Sequence, residues 1–205
     1  MRSKDFRSIL ILLLLSYTRA FSNSNSMKGS VYIALTVDGF IATPDGNVDF
    51  LIPYQQSAED DMGFFAFLKR VDVIIMGRNS FEKVVSFGKD AWPYDKIPLV
   101  VWSRQGTEIP DYCRDSVSCS SLSPNALMSF LESKGHKHAY IDGGKTIQHF
   151  LKAKQIHNFI LTRVPILLGE GIPLFEEGDQ VPLVHTKTKA YKNGLVMSYY
   201  DVKEE

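Results

Sequence analysis

Apolar and polar positions along the chain fall into runs with two different periods. Ser30–Thr36 (SVYIALT) is rich in β-branched and apolar residues and predicts a buried first strand. Val71–Met76 (VDVIIM) and Pro98–Trp102 (PLVVW) are near-continuous apolar runs, the pattern of parallel strands covered on both faces. Val117–Cys119, Ala139–Ile141 and Ile156–Val164 add shorter strand candidates. Between these runs the period changes to that of a helix. Phe64, Phe65 and Leu68 share a face within Ser57–Lys69, for which Ser57 is the N-cap candidate. A second helix starts near Gly77–Ser80, where Asn79 and Glu82 have capping-box spacing. A third covers Ser123–Ser133, with Leu127, Phe130 and Leu131 on one side. The fourth follows Gly143-Gly144 and carries Ile147, Phe150 and Leu151. Two final strand-like runs, Val181–Tyr191 and Leu195–Val202, meet at Lys192-Asn193-Gly194, and Asn-Gly between β runs signals a hairpin. The alternation predicts an α/β fold: an open, mainly parallel sheet flanked by helices, closed by a C-terminal antiparallel hairpin. Loops are expected from Val37 to about Gln56 and over Pro165–Phe175.

The first 26 residues do not fit this pattern. Arg2, Lys4 and Arg7 precede an unbroken apolar run, Ile9–Leu15, and small residues lead to Phe21. This is the layout of a secretory signal, and the run is too short to span a bilayer as a stable helix. The Ala-Phe junction also resembles the bipartite targeting sequences of secondary plastids, so plastid and secretory destinations both stay open. Ser22–Ser26 is a polar spacer. The expected division is a targeting segment over 1–26 and one folded domain over 27–205.

Composition narrows the function. Lys+Arg and Asp+Glu are equal at 23 each, so the basic excess that holds proteins on nucleic acid by bulk charge is missing. The two cysteines, Cys113 and Cys119, are too few for a disulfide scaffold and have no C-x-x-C spacing, and no metal site is expected. No stable membrane span is expected in the mature chain.

The chemistry gathers in the turns. Three predicted strands end in ligand-type turns: Gly77-Arg78-Asn79-Ser80, Ser103-Arg104 and Gly143-Gly144-Lys145-Thr146. In an open parallel sheet, ligands bind at the carboxyl ends of the strands, so the three turns are expected to converge on one rim. Paired glycines admit a ligand close to the backbone, and the first-turn N–H groups of a helix favour an anion. Arginine adds bidentate phosphate recognition. Two carboxylates are the candidate acids. Asp38 opens an Asp-Gly turn and could bind substrate, relay a proton, or only shape the turn. Asp61 lies on the apolar face of its predicted helix, as a cap or as a catalytic acid. Gly144-Lys145-Thr146 ends like a phosphate-binding loop, but Ala139 stands where that motif needs its first glycine.

Thr36–Ala42, Met76–Glu82, Ile141–Gly144 and Pro165–Phe175, in that order, resemble the dihydrofolate-reductase-like superfamily from about Lys28 to Lys203. They look most like stand-alone relatives of the reductase domain of bacterial bifunctional riboflavin-biosynthesis proteins. The resemblance implies NADPH as cofactor, with Gly77, Arg78 and Ser80 at the phosphates. It implies Ser103 and Arg104 near the adenosine phosphate, and Gly143, Gly144, Lys145 and Thr146 at the pyrophosphate. It further implies hydride transfer to a small pterin- or pyrimidine-type molecule, similar to 5-amino-6-(5-phosphoribosylamino)uracil reductase. Ser80 stands where the family usually has threonine, Phe40 where riboflavin-pathway reductases commonly have lysine, and the deaminase domain is missing. A dihydrofolate or pteridine reductase and a catalytically silent nucleotide-binding module are the alternatives. The terminal hairpin offers an edge for strand pairing, which leaves a homodimer open.

Overall fold

A computed structural model of the chain describes residues 26–54, 61–94, 97–178 and 180–203. The expected targeting segment, up to residue 25, and the Ser57 cap candidate lie outside the described residues. An eight-stranded sheet with the order β5-β4-β3-β6-β1-β7-β10-β9 forms the middle layer. Its strands are β1 (Lys28–Thr36), β3 (Val73–Gly77), β4 (Leu99–Trp102), β5 (Val117–Ser120), β6 (His138–Asp142), β7 (Asn158–Val164), β9 (Leu183–Ala190) and β10 (Val196–Val202). Neighbours from β5 to β7 pair in parallel, and β10 runs antiparallel to both β7 and β9. The predicted α/β architecture and the closing hairpin are both present.

Helices cover both faces. On one side α1 (Phe64–Leu68) and α2 (Arg78–Ser86) bury Phe67, Leu68 and Phe81 against Ile74, Met76, Val101 and Tyr140. On the other, α3 (Pro124–Ser133) and α4 (Gly144–Lys152) bury Leu127, Leu131, Ile147 and Phe150 against Val31, Val73, Ile75 and Ile141. Alternate residues of β3 thus serve opposite cores, which is why its sequence is apolar throughout.

Three local expectations change. The predicted helix over Ser57–Lys69 is, in the described residues, only α1. Met62 (φ 54) and Gly63 (φ 87) are both left-handed, and no right-handed helix runs through two such residues. The Asn79–Glu82 capping box is absent, because α2 begins two residues earlier, with Gly77 as its N-cap. Glu82 instead meets Arg78 at 3.4 Å and accepts from Thr107 at 3.2 Å. The loops at 37–56 and 165–175 each contribute one short strand, β2 (Phe40–Ala42) and β8 (Ile172–Pro173), which pair antiparallel as a small flap. A three-residue and a two-residue strand are too short to leave a readable alternation in the sequence.

Candidate active site

The sheet places the three turns side by side. Met76 lies opposite Asp142 and Gly77 opposite Trp102, so β3, β4 and β6 end at one level. Chain connections diverge here. From β3 the chain passes through α2 outward to β4, whereas from β6 it passes through α4 on the other face to β7 beyond β1. Adjacent strands whose helices leave for opposite faces open a crevice at their carboxyl ends.

The crevice floor is tight enough to require glycine. A Cβ on Gly77 would stand 2.5 Å from Thr146 Oγ1, and one on Gly143 would stand 2.5 Å from Ser80 Oγ. The turn after β3 therefore packs directly on the turn after β6, bringing Gly77, Ser80, Gly143 and Thr146 together. Gly143 also has φ 93 and ψ 131, which L side chains rarely adopt. Arg78 directly follows β3, Arg104 stands in the turn two residues past β4, and Lys145 lies in the first turn of α4 after β6. Arg78 is half-buried beside Glu82, while Arg104 and Lys145 are exposed. Ser103 accepts from the Gln105 N–H at 3.1 Å, shaping the turn after β4.

Neither helix start at the crevice carries a side-chain cap. Gly77 and Gly143 are the N-caps of α2 and α4 and have no side chain to offer. By contrast α3, which starts beyond the edge strand β5, is capped by Ser123, which accepts from the Ala126 N–H. The first-turn N–H groups of two nine-residue helices thus face one place, with three cations around it. That donor set fits the phosphates of a dinucleotide.

A second opening adjoins the first. The ladder between β1 and β6 stops at Ser30/Tyr140, although β1 runs on to Thr36 beside β7 and β6 runs on to Asp142. The Tyr140 hydroxyl stands in this gap, 3.0 Å from the Tyr32 carbonyl and 3.1 Å from Asp142 Oδ1, and bonds with both. Tyr32, Phe64, Phe67 and Tyr140 form an aromatic wall beside it, with ring centroids 5.2–6.2 Å apart. Burial pushes the Asp142 carboxyl up to about 6, against the Tyr140 hydroxyl and the Gly143 N–H, which favour its charge. Its charge in turn raises Tyr94 and Tyr140, both already raised by burial.

Asp142 was not singled out from sequence. The signal was available: a carboxylate that ends a buried parallel strand, directly before a glycine turn, sits at the ligand edge of the sheet. The two acids that sequence did single out are engaged with backbone. Asp38 accepts from the Leu168 and Gly169 N–H groups at 3.2 and 2.8 Å and from the Thr36 hydroxyl, and these bonds hold its carboxyl below the usual range. It ties the turn after β1 to the loop after β7. Asp61 accepts from the N–H groups of Phe65 and Gly63 at 2.6 and 2.8 Å, which likewise lower it. Replacing Asp61 with alanine is expected to cost about 1 kcal/mol of stability as a lost cap, and asparagine far less. Urea melts of the two variants measure the difference; equal loss of turnover in both at unchanged stability would instead make Asp61 a chemical participant.

A shallow hollow lined by Arg70, Asn158, Ile160, Thr186, Tyr199 and Asp201 lies at the opposite end of the sheet, where β7 begins and β10 ends. None of the candidate residues reaches it. Among the described residues no cluster of three or more His, Cys, Asp or Glu could hold a metal ion, and no helix is long and apolar enough to cross a membrane.

Comparison with known proteins extends this picture over nearly the whole folded chain. The uncharacterized protein YwjB of Bacillus subtilis is 34% identical over 175 residues, covering 84% of this chain and 97% of that protein. The crystal structure of a putative riboflavin biosynthesis protein from Shewanella sp. PV-4 superimposes with a TM-score of 0.81 at 38% identity, covering 87% of this chain and all of that one. The bifunctional deaminase/5-amino-6-(5-phosphoribosylamino)uracil reductase of Thermotoga maritima shares the fold, with a TM-score of 0.63 at 13% identity, and the match takes in 60% of its length. The profile of the RibD C-terminal domain matches residues 28–197, from the first strand through to β10 and across every turn that lines the crevice, and the chain belongs to that family.

Proposed function

We propose that the protein is an NADPH-dependent reductase that transfers hydride to a C=N or C=O group of a pterin- or pyrimidine-type small molecule. Membership in a riboflavin-pathway type of reductase family supports an oxidoreductase. The observation that carries the finer reading is the rim: two uncapped helix starts packed glycine to side chain, beside a gap in the sheet that holds an acid of raised pKa.

The residues divide the work. The N–H groups after Gly77 and Gly143 hold the diphosphate, with Ser80, Lys145 and Thr146 beside them. Arg78 and Arg104 take the additional ribose phosphate. When bound, the nicotinamide supplies hydride from its C4. The opening between β1 and β6 receives flat rings, and the aromatic wall of Tyr32, Phe64 and Tyr140 excludes water from them. Hydride arriving at carbon leaves the neighbouring nitrogen or oxygen in need of a proton. Asp142 is poised to bind the acceptor and furnish that proton, since a carboxyl titrating near 6 is partly protonated close to neutrality.

Fluorescence titration with NADPH, followed by NADPH oxidation with pterin and ribosylated pyrimidine acceptors, tests the reading. Binding with turnover of one acceptor class supports it; a folded protein that binds no NADPH sinks it. Replacement of Arg104 with alanine is expected to weaken NADPH by about tenfold, the effect of one charge-assisted contact, and to leave NADH unchanged. Equal weakening of both cofactors would move Arg104 away from the extra phosphate.

A further inference from the structure

We propose that Gln148 is a positioning residue that couples dinucleotide binding at the start of α4 to the order of the β2–β8 flap. The inference rests on the dinucleotide reading of the rim.

Gln148 is a buried polar side chain in the middle of α4, 6% exposed. Its amide donates to the carbonyls of Pro173 and Leu174, at 3.3 and 3.1 Å. Gly144 lies four residues earlier, on the same side of the helix. The flap touches that side at the glycine too, because a Cβ on Gly144 would stand 2.6 Å from Ile41 Cδ1. Ile41 belongs to β2, and β2 pairs with β8, in which Phe40 lies opposite Pro173. The Leu174 N–H donates to the Gly39 carbonyl at 3.0 Å. A closed circuit results: α4 to Ile41, β2 to β8, and β8 back to α4 through Gln148.

Two of these links are pure packing or flap-internal. The amide of Gln148 is a polar link between flap and helix; of its two partners Pro173 is half-buried and Leu174 is 0% exposed, so the bond to the Leu174 carbonyl is a buried one. A carbonyl left without a donor in such a place is costly, so the flap stays on α4 only while the amide holds it. An anion on the first turn of α4 restrains the same turn on which Ile41 sits. The restraint passes to the flap because the flap is fastened one turn further along. Ordering at one site then lowers the cost of ordering at the other, with no new contact needed. The flap carries Phe40, so the cofactor orders that side chain along with the flap.

Hydrogen–deuterium exchange with and without NADPH reads the coupling, using wild type, Q148M and Q148E. Methionine keeps the length and loses the donor. Glutamate keeps the shape and turns an oxygen toward the two carbonyls. In wild type, NADPH is expected to slow exchange in peptides over 38–42 and 170–176 as well as at the start of α4. In both variants the slowing at α4 should remain while that of the flap disappears, with NADPH bound about 5- to 10-fold more weakly, a modest coupling. A merely structural glutamine would instead raise flap exchange equally with and without NADPH. That outcome, or full flap protection by NADPH in the variants, overturns the proposal and leaves the cofactor reading intact. Absence of NADPH binding in wild type would remove both. If Q148E does not fold, Q148M alone decides.

Discussion

Replacing Asp142 with asparagine is expected to abolish most turnover while making the folded chain more stable at alkaline pH. The two effects have one cause. Burial raises the carboxyl from 3.8 to about 6, so the ionised form is less comfortable in the fold than in the unfolded chain. A folded-state pKa above the unfolded value means that the folded state binds more protons between the two values. Stability is therefore fullest below 3.8 and declines as pH rises through about 6. A shift of roughly two units corresponds to about 3 kcal/mol as a ceiling, and the partial exposure of Asp142 brings this to on the order of 1–2 kcal/mol. Asparagine escapes the charge and still offers an oxygen to the Tyr140 hydroxyl. Urea unfolding at pH 8 should then place D142N about 1–2 kcal/mol above wild type, with the gap closing toward pH 4. His138, whose pKa burial lowers, is present in both proteins, so it cancels in the difference. Turnover should fall by about a hundredfold or more, the usual worth of a positioned proton donor, with NADPH affinity kept. A variant no more stable than wild type at pH 8, or one that keeps full turnover, would remove Asp142 from the centre of the site.

Much of the fold was legible because its signals are long. The apolar runs of β3 and β4 read as parallel strands covered on both faces, those of β1 and β7 as strands, and Asn193-Gly194 marked the hairpin. The turns were legible as a set, since each ends a strand of that kind. What escaped has a physical reason in each case. β2 and β8 exist only because the flap pairs with itself and seats on α4, and no local pattern in five residues encodes that. Gly77 displaced Asn79 as N-cap because the crevice needs a turn whose atoms can meet Thr146, and tertiary contact outweighed a local capping preference. The place of Asp142 at the ligand edge was readable from its position between a buried strand and a glycine turn, but its raised pKa comes from burial in the folded chain, which no local pattern encodes. Gln148 is of the same kind: an amide in an amphipathic helix reads as solvated until the flap is laid over it.

Replacing Gly143 with alanine is expected to cost the chain its cofactor site, and the comparison with Gly88 shows why the site rather than the fold is at stake. Both glycines have left-handed φ, 93° at Gly143 and 89° at Gly88. Alanine at either position is strained by about 1–3 kcal/mol, so both variants should lose stability to a similar degree. Their surroundings differ. Nothing lies within 4 Å of a Cβ on Gly88, whereas a Cβ on Gly143 meets Ser80 Oγ at 2.5 Å and Gly77 N at 3.6 Å. Ser80 can turn its hydroxyl away, but the strained backbone of residue 143 relaxes only by rotating the peptide that leads into α4. That rotation re-aims the first-turn N–H groups of α4 and separates its turn from that of β3. Two converging donor arrays become two unrelated helix starts, each worth little alone to an anion in water. NADPH affinity should drop by about a hundredfold or more in G143A, the loss of two to three charge-assisted hydrogen bonds, and stay within about twofold of wild type in G88A. Fluorescence titration beside a urea melt gives both quantities for each variant. Unchanged affinity in G143A, or equal loss in the two, would mean that the glycine turns meet for packing alone and that no dinucleotide lies across them.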